Sequence, residues 1–152
     1  MVTPNPDDGA LWNAYRETVF VATVDGQTVR IHVDRTSPEL DDVLKPRGVT
    51  TWAFITAWNP ASEQLTREVN DARHELLKGD VNRLNLQSFE GQGEPANSDW
   101  TPEQSLLVAG ISEPDAVRLG RRYGQTAIVV GEIGGKARLL KCAPAGGADA
   151  HG

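Results

Sequence analysis

Runs of hydrophobic residues along the chain predict several β-strands. Residues 18–24 are rich in β-branched side chains, residues 28–33 alternate apolar with polar positions, and Asp25-Gly26 between them is favoured in tight hairpin turns. Residues 52–58 and 105–111 are nearly continuous apolar runs, which are typical of central strands covered on both faces. The pattern therefore predicts an N-terminal hairpin and two buried strands.

The second half of the chain adds a weaker strand and a second hairpin. Residues 82–89 are predicted as the weaker strand, and residues 91–99 as a polar loop. Residues 127–131 and 137–142 are predicted as the last two strands. A Gly134-Gly135 turn would join them into a hairpin.

The clearest helical pattern follows the strand at residues 52–58. Four apolar side chains recur at the i, i+4, i+7 and i+11 spacing that places them on one helix face: Leu65, Val69, Ala72 and Leu76. Asn59 is predicted as the N-cap with Pro60 at the first helical position, and Gly79 as the C-terminal stop. The pattern predicts that the apolar face packs against the sheet.

Two further helices are predicted. A short one, at residues 38–44, is opened by Ser37-Pro38. A later one begins where Ser112 and Asp115 have the spacing of a capping box, and it ends at Gly124. Its inner face is predicted to comprise Ala116, Leu119, Gly120 and Tyr123.

The predicted order of elements is β-β-α-β-α-β-β-α-β-β. Hairpins at both ends and helices between them predict an α+β (mixed α/β) fold, with a single sheet of about six to seven strands and about two to three helices. Residues 10–142 are predicted as one domain, because this length is typical of a single domain. Residues 1–9 and 143–152 lack apolar periodicity and are predicted as disordered tails.

Charge and cysteine content indicate which partners and which cellular compartment fit the chain. The 152 residues include 15 Lys and Arg against 21 Asp and Glu, and the resulting net charge of -6 opposes broad binding to nucleic acid. The single cysteine, Cys142, excludes an intrachain disulfide and fits a reducing compartment. The first residues lack the pattern of a signal peptide, and no apolar run approaches the roughly 20 residues of a membrane span. We therefore expect a cytoplasmic protein that does not bind a membrane.

Several short motifs match a known family. The most specific is the run Ile55-Thr56-Ala57-Trp58-Asn59-Pro60, followed by Asn70. Further matches are Leu11-Trp12, Tyr15, Thr18, Phe20, Glu103-x-Ser105 and Tyr123-Gly124-Gln125. Over about residues 10–142 the chain resembles the bacterial family catalogued as domain of unknown function 3293. The resemblance implies a bacterial, soluble, single-domain protein and implies no established activity.

The candidate ligand site lies at the end of the strand at residues 52–58, where Asn59 would begin a helix. Such a crevice favours an anion, because helix N-terminal N–H groups and the helix dipole point into it. Asn70 and Arg73, spaced i, i+3, would orient the ligand, since an amide and a guanidinium together can hold a carboxylate or phosphate. The alternatives are that Asn59 only caps the helix and that Asn70 and Arg73 lie on a solvated face.

Three later residues would complete this site. Trp100, in a polar loop, either stacks on a ligand or plugs the edge of the core. Gln125, between a helix and a strand, either contacts the ligand or hydrogen-bonds to backbone groups. Glu103 is a candidate general base only if it is buried or paired.

Cofactor and metal motifs are not found in the sequence. Gly91-x-Gly93 lacks the third glycine of a dinucleotide fingerprint, and residues 131–136 lack the Ser/Thr and the following helix of a phosphate-binding loop. His74 and Glu75 do not form a catalytic pair, because adjacent helix positions point about 100° apart. The cysteine and the histidines lack metal-binding spacing. We therefore predict neither a cofactor nor a metal, and the catalytic residues, if any exist, are unknown.

The sequence favours a ligand- or partner-binding protein without an identified reaction, with a small anionic ligand or a protein as the partner. One alternative is an enzyme acting on a nucleotide-like or phosphorylated small molecule, with Glu103 or His74 as the acid or base. Another alternative is an RNA- or protein-interaction accessory domain that uses Arg118, Arg121 and Arg122. These three arginines share one helix face, which can equally be a solvated surface.

Overall fold

A computed structural model describes residues 6–60, 63–95 and 102–142. The strands are β1 Val19–Val24, β2 Gln27–Ile31, β3 Thr51–Thr56, β4 Gln87–Glu94, β5 Glu103–Ala109, β6 Ala127–Glu132 and β7 Arg138–Lys141. The helices are α1 Pro6–Glu17, α2 Pro38–Leu44, α3 Arg67–Arg83 and α4 Glu113–Arg122, and a 3₁₀ turn, Lys45–Arg47, follows α2. The predicted α+β fold with one sheet is confirmed.

All seven strands belong to one sheet, in the order β2-β1-β4-β5-β3-β6-β7. Every pair of neighbouring strands is antiparallel. The two predicted hairpins, β1–β2 and β6–β7, lie at opposite edges of the sheet. In the first of them, Asp25 and Gly26 have φ angles of 52° and 81°, the left-handed conformation that favours Asp-Gly in such turns.

The N-terminal helix α1 was not predicted, so the described residues contain four α-helices instead of about two to three. It begins at Pro6, within the segment predicted as a tail. Its few apolar residues give no strong helical period, and packing on the sheet holds its C-terminal end. Tyr15 stacks on Phe20 with ring centroids 6.4 Å apart, and its hydroxyl donates to the carbonyl oxygen of Ala127 at 3.4 Å.

Strand β4 begins and ends later than predicted. It runs through Glu94, so residues 91–94 belong to the sheet and not to a polar loop. Gly91 conceals this strand in the sequence, because glycine is depleted in strands. A Cβ atom at Gly91 would lie 2.4 Å from the carbonyl oxygen of Val21 and 3.0 Å from the ring of Phe54. The glycine therefore permits close approach between β4 and its neighbours.

The start and the end predicted for helix α3 are wrong. Asn59 is not its N-cap, since Thr66 occupies that position and its hydroxyl accepts from the backbone N–H of Val69 at 3.3 Å. Gly79 does not end the helix either, because the helix continues to Arg83.

The predicted inner face of α3 is also wrong. Val69 and Leu76, expected to be buried, are 47% and 62% exposed. The residues that α3 buries are instead Asn70, His74, Leu77, Asp80 and Val81. Periodicity failed here because three of these five side chains are polar and find partners inside the protein.

Alternate side chains of the strands build two cores on the two faces of the sheet. One core includes Phe20, Phe54, Leu107 and Val129, and α2 contributes Leu40 and Leu44 to it. The other includes Ile55, Leu106, Val108 and Ile128, and α3 and α4 cover it. The predicted cap of α4 is confirmed, since Ser112 accepts from the N–H of Asp115, and its predicted inner face is buried.

Candidate functional site

The predicted site residues are brought together around a short segment, residues 57–59, that leaves strand β3. Asn59 is buried and has a φ angle of +45°, which places it in the left-handed region. Asparagine tolerates this conformation better than most residues with a Cβ atom. The turn directs the chain away from the sheet, and α3 begins eight residues later, at Arg67.

Asn59 and Asn70 form a reciprocal pair of hydrogen bonds. The backbone N–H of Asn59 donates to Oδ1 of Asn70, and Nδ2 of Asn70 donates to Oδ1 of Asn59, both at 3.0 Å. Oδ1 of Asn59 also accepts from the backbone N–H of Leu65 at 3.0 Å. The two amides therefore tie the end of β3 to helix α3.

Arg73 and Gln125 hold the carbonyl oxygens of the same segment. Nε of Arg73 donates to the carbonyl of Ala57 at 2.6 Å, and its guanidinium also donates to the carbonyl of Tyr123. Nε2 of Gln125 donates to the carbonyl of Trp58 at 2.9 Å. Gln125 thus follows the backbone-bonding alternative, and Arg73 is directed into the protein and not onto a solvated face.

Glu103 lies at the start of β5, beside Asn59. Its Oε2 accepts from Nδ2 of Asn59 at 2.9 Å. Burial raises the pKa of Glu103, and the hydrogen bond from Asn59 only partly opposes that rise. Burial, and secondarily the charge of Glu103, also raise the pKa of Tyr15. Glu103 is therefore both paired and partly buried, as a candidate general base requires.

Five of the six predicted site residues meet at residues 57–59, but the physical basis for an anion there is wrong. The N-terminus of α3 does not follow β3 directly, and the guanidinium of Arg73 is engaged by backbone carbonyls. The sixth residue, Trp100, lies outside the described residues.

A cavity of about 550 Å³ lies beside Trp58, on the sheet face opposite Phe20 and Phe54. Its lining includes the side chains of Thr23, Trp58, Arg67, Glu90, Gln92 and Gln104. Gln92 pairs with Gln104 across β4 and β5 and therefore shares its sheet face. The cavity is thus walled by three strands, by Trp58 and by the first residue of α3.

Glu90 is the centre of a charged cluster in the cavity wall. Its Oε1 lies 2.9 Å from Nε2 of the buried His74 and accepts from Nε2 of Gln104 at 3.2 Å, while Nζ of Lys78 lies 3.3 Å from its Oε2. Burial raises the pKa of Glu90, but His74, Lys78 and Gln104 outweigh burial, and the net effect lowers it. Glu90 is therefore ionised near neutral pH, and Nε2 of His74 donates to it.

Sequence reasoning missed Glu90, Gln92, Gln104 and Trp58 as site residues. The signal was present in β4, where Glu90 and Gln92 alternate with Phe89, Gly91 and Gly93 and so lie on one face. Treating the glycines as a loop concealed this alternation.

The residues proposed for the other two functions contact other groups of this chain. Glu103 contacts Asn59, whereas His74 contacts Glu90, so the two candidate acid–base groups lie in separate clusters. Arg118 pairs with Asp115, Nε of Arg121 donates to the carbonyl of Cys142, and Arg122 pairs with the buried Asp80. All three arginines therefore contact groups of this chain.

Two other kinds of feature are absent from the described residues. No three His, Cys, Asp or Glu side chains among them gather as a metal site would require. None of the helices in the described ranges has the length and apolar character needed to cross a membrane.

Comparison with known families places the site inside the matched part of the chain. The family described as "Protein of unknown function (DUF3293)" matches residues 55–128, which confirms the resemblance over a shorter range than expected. The match includes the segment at residues 57–59, helix α3 and strands β4 and β5. No curated protein matches the chain, and no solved structure matches it. The function therefore has to be argued from the geometry.

Proposed function

We propose that this protein binds a small molecule in the cavity beside Trp58. The observation that carries the proposal is the cavity itself, whose volume of about 550 Å³ falls within the range typical of ligand pockets. Its lining is more polar than that of most ligand pockets, with Val21, Trp58 and Pro102 as the apolar side chains. Glu90, Gln92 and Gln104 would fix the orientation of the ligand.

In this proposal the predicted site residues act by positioning. Arg73 and Gln125 hold the carbonyls on either side of the N–H of Trp58, and Asn70 holds the N–H of Asn59. Rigid support of this kind keeps a binding wall in place before the ligand arrives. Asn59 and Glu103 extend the same network to β5.

We place the protein in the bacterial cytoplasm. The resemblance to a bacterial family supports the source, and the single buried cysteine is compatible with a reducing compartment. Burial raises the pKa of the Cys142 thiol to about 11, so it is an unreactive core residue.

The binding function is tested by blocking the cavity and examining what the protein retains. Native mass spectrometry of freshly purified protein, followed by denaturing analysis, should show a mass excess that disappears on denaturation. Thr23→Trp places a large ring in the cavity and should abolish this excess. Gln27→Trp is the matched control, because Gln27 is an exposed residue of the same hairpin, pairs with Val24 on the opposite sheet face and does not line the cavity.

The proposal is wrong if the wild-type protein carries no mass excess and shows no thermal shift with a panel of small polar metabolites. It is also wrong if Thr23→Trp, folded by circular dichroism, retains the same molecule as Gln27→Trp.

A further inference from the structure

We infer that the cavity beside Trp58 takes an uncharged, hydroxyl-rich ring of the sugar class. This inference rests on the proposed binding function and adds the chemistry of the ligand. It follows from the hydrogen-bonding capacity that remains at Glu90, Gln92 and Gln104 after their contacts within the protein are counted.

Most of the remaining capacity is for accepting hydrogen bonds. Oε1 of Glu90 already has two partners, whereas Oε2 has only Lys78, so one acceptor position stays open there. The amide nitrogens of Gln92 and Gln104 donate to Glu94 and Glu90, which leaves both amide oxygens without a partner among the described residues. A ligand for this wall must therefore supply O–H or N–H donors.

An anionic ligand does not match this wall. A phosphate dianion or a carboxylate offers only acceptors, and it would face the ionised Glu90 across a partly dehydrated cavity. Arg67 lines the cavity, but its guanidinium lies 3.7 Å from Asp71 and is largely exposed. The anionic ligand predicted from the sequence is thus disfavoured here.

A cationic ligand is not favoured either. Glu90 is already paired with Lys78, which also lies 3.6 Å from Glu75, and Lys78 would repel a second cation at the same carboxylate. An uncharged ligand avoids both conflicts and leaves the ion pair intact.

Hydroxyl groups fit the arrangement best, because each one both donates and accepts. They can donate to the open oxygens of Glu90, Gln92 and Gln104 and accept from the second N–H of Gln104 or from the hydroxyl of Thr23. Trp58, which is 8% exposed, adds a small apolar aromatic contact for the C–H groups of a sugar ring. Free sugars and the ribose of nucleosides share this chemistry.

Saturation-transfer NMR on the full chain tests the ligand class with defined probes: glucose, ribose, adenosine, glucose 6-phosphate and spermidine. We expect signals from the uncharged probes, and weaker or no signals from glucose 6-phosphate and spermidine. Adenosine binding much tighter than ribose would identify a nucleoside as the source of the ring, and equal binding would identify a free sugar. Either pattern supports the inference.

Matched variants connect the binding to the wall. Glu90→Gln keeps the shape of the side chain but loses the charged acceptor, so affinity for the best uncharged probe should fall about tenfold or more. Glu75→Gln is the control, because it removes the same charge beside Lys78 but lies outside the cavity lining. Gln104→Leu removes an acceptor and the hydrogen bond that Gln104 donates to Glu90, but it keeps the charges of Glu90 and Lys78. It should weaken binding even if Glu90→Gln fails to fold.

The outcomes separate this inference from the binding function itself. Tighter binding of spermidine or glucose 6-phosphate than of every uncharged probe, abolished by Thr23→Trp, would overturn the sugar class and leave the binding function standing. Equal affinity of wild type, Glu90→Gln and Gln104→Leu for the best uncharged probe would also overturn it. No signal from any probe, together with no mass excess in the purified protein, would overturn both.

Discussion

Buried polar side chains determine the local structure at the end of β3. Asn59 makes four hydrogen bonds to Asn70, Leu65 and Glu103 through three atoms: its backbone N, Oδ1 and Nδ2. Each buried donor or acceptor in such a network costs free energy when its partner is removed, roughly 1–3 kcal/mol. These hydrogen bonds explain the asparagines at residues 59 and 70 without a ligand. In our proposal the ligand contacts the adjacent cavity wall instead.

Glu103 gives a prediction about the pH dependence of stability. Its pKa in the folded protein is raised above the usual 4.5, so the fold opposes its ionisation. The stability that the protonated group contributes is present below the usual pKa and is lost as the pH rises through the raised pKa. Glu103→Gln is always neutral and can still accept from Asn59. The stability of Glu103→Gln relative to wild type should therefore increase as the pH rises from the usual pKa of 4.5 through the raised one, as measured by urea denaturation.

Glu90→Gln is the control, with the opposite sign. The pKa of Glu90 is lowered in the folded protein, so its contribution to stability is present above the usual pKa and is lost as the pH falls through the lowered one. Relative to wild type, Glu90→Gln should lose stability as the pH rises from the lowered pKa to the usual value of 4.5, and the difference should stay nearly constant above about pH 5. The interpretation of both carboxyl groups is contradicted if the two variants change in the same direction.

Helix α3 was predicted in the right part of the chain, but the face that it buries was predicted wrongly. Its apolar residues follow the helical period, and yet Val69 and Leu76 are exposed on the solvent side. The side facing the sheet carries Asn70 and His74, whose partners come from residues 59 and 90. Those partners lie 11 and 16 residues away along the chain, so no local pattern of α3 reveals them.

Two adjacent leucines on α3 test this orientation. Leu77 is fully buried, so Leu77→Ala should lower the free energy of unfolding by about 2–5 kcal/mol. Leu76 is 62% exposed, and Leu76→Ala should change it by no more than about 0.5 kcal/mol. Urea denaturation of the two variants measures the difference. A larger loss for Leu76→Ala would restore the face predicted from periodicity.

Elements stabilised by local signals were predictable from the sequence. The Asp25-Gly26 hairpin, the cap of α4 at Ser112 and the apolar run of β3 all lie where local chemistry places them. Helix α1 and strand β4 depend on distant partners, which a single sequence does not show. The same limit applies to the site. Amide and guanidinium residues near residue 59 indicated a cluster, but the cavity wall needed the correct extent of β4.

The two edges of the sheet approach each other, so the sheet is nearly closed on itself. The segment after β2 meets the segment before β7 through a parallel bridge between Val33 and Ala137 and an antiparallel bridge between Thr36 and Lys136. The backbone N–H of Asp34 donates to Ala137 at 2.8 Å, and the N–H of Ala137 donates to Arg35 at 3.0 Å. The curled sheet encloses the core that contains Phe20 and Phe54.

Closure has a consequence for hydrogen exchange. In an open sheet, the backbone amides beyond its edge strands would exchange with solvent as fast as those of a turn. Backbone hydrogen bonds between the two edge segments engage the amides of Asp34 and Ala137. We therefore expect these amides to exchange at least about 100-fold more slowly than the turn amide of Gly134. NMR-detected exchange on the full chain measures all three amides in one experiment. Equal rates at the three positions would mean that the edges separate in solution. Slow exchange at both Asp34 and Ala137 would show that the two edge segments stay paired with each other. Neither segment is then available for pairing with another chain, which is how barrels avoid aggregation.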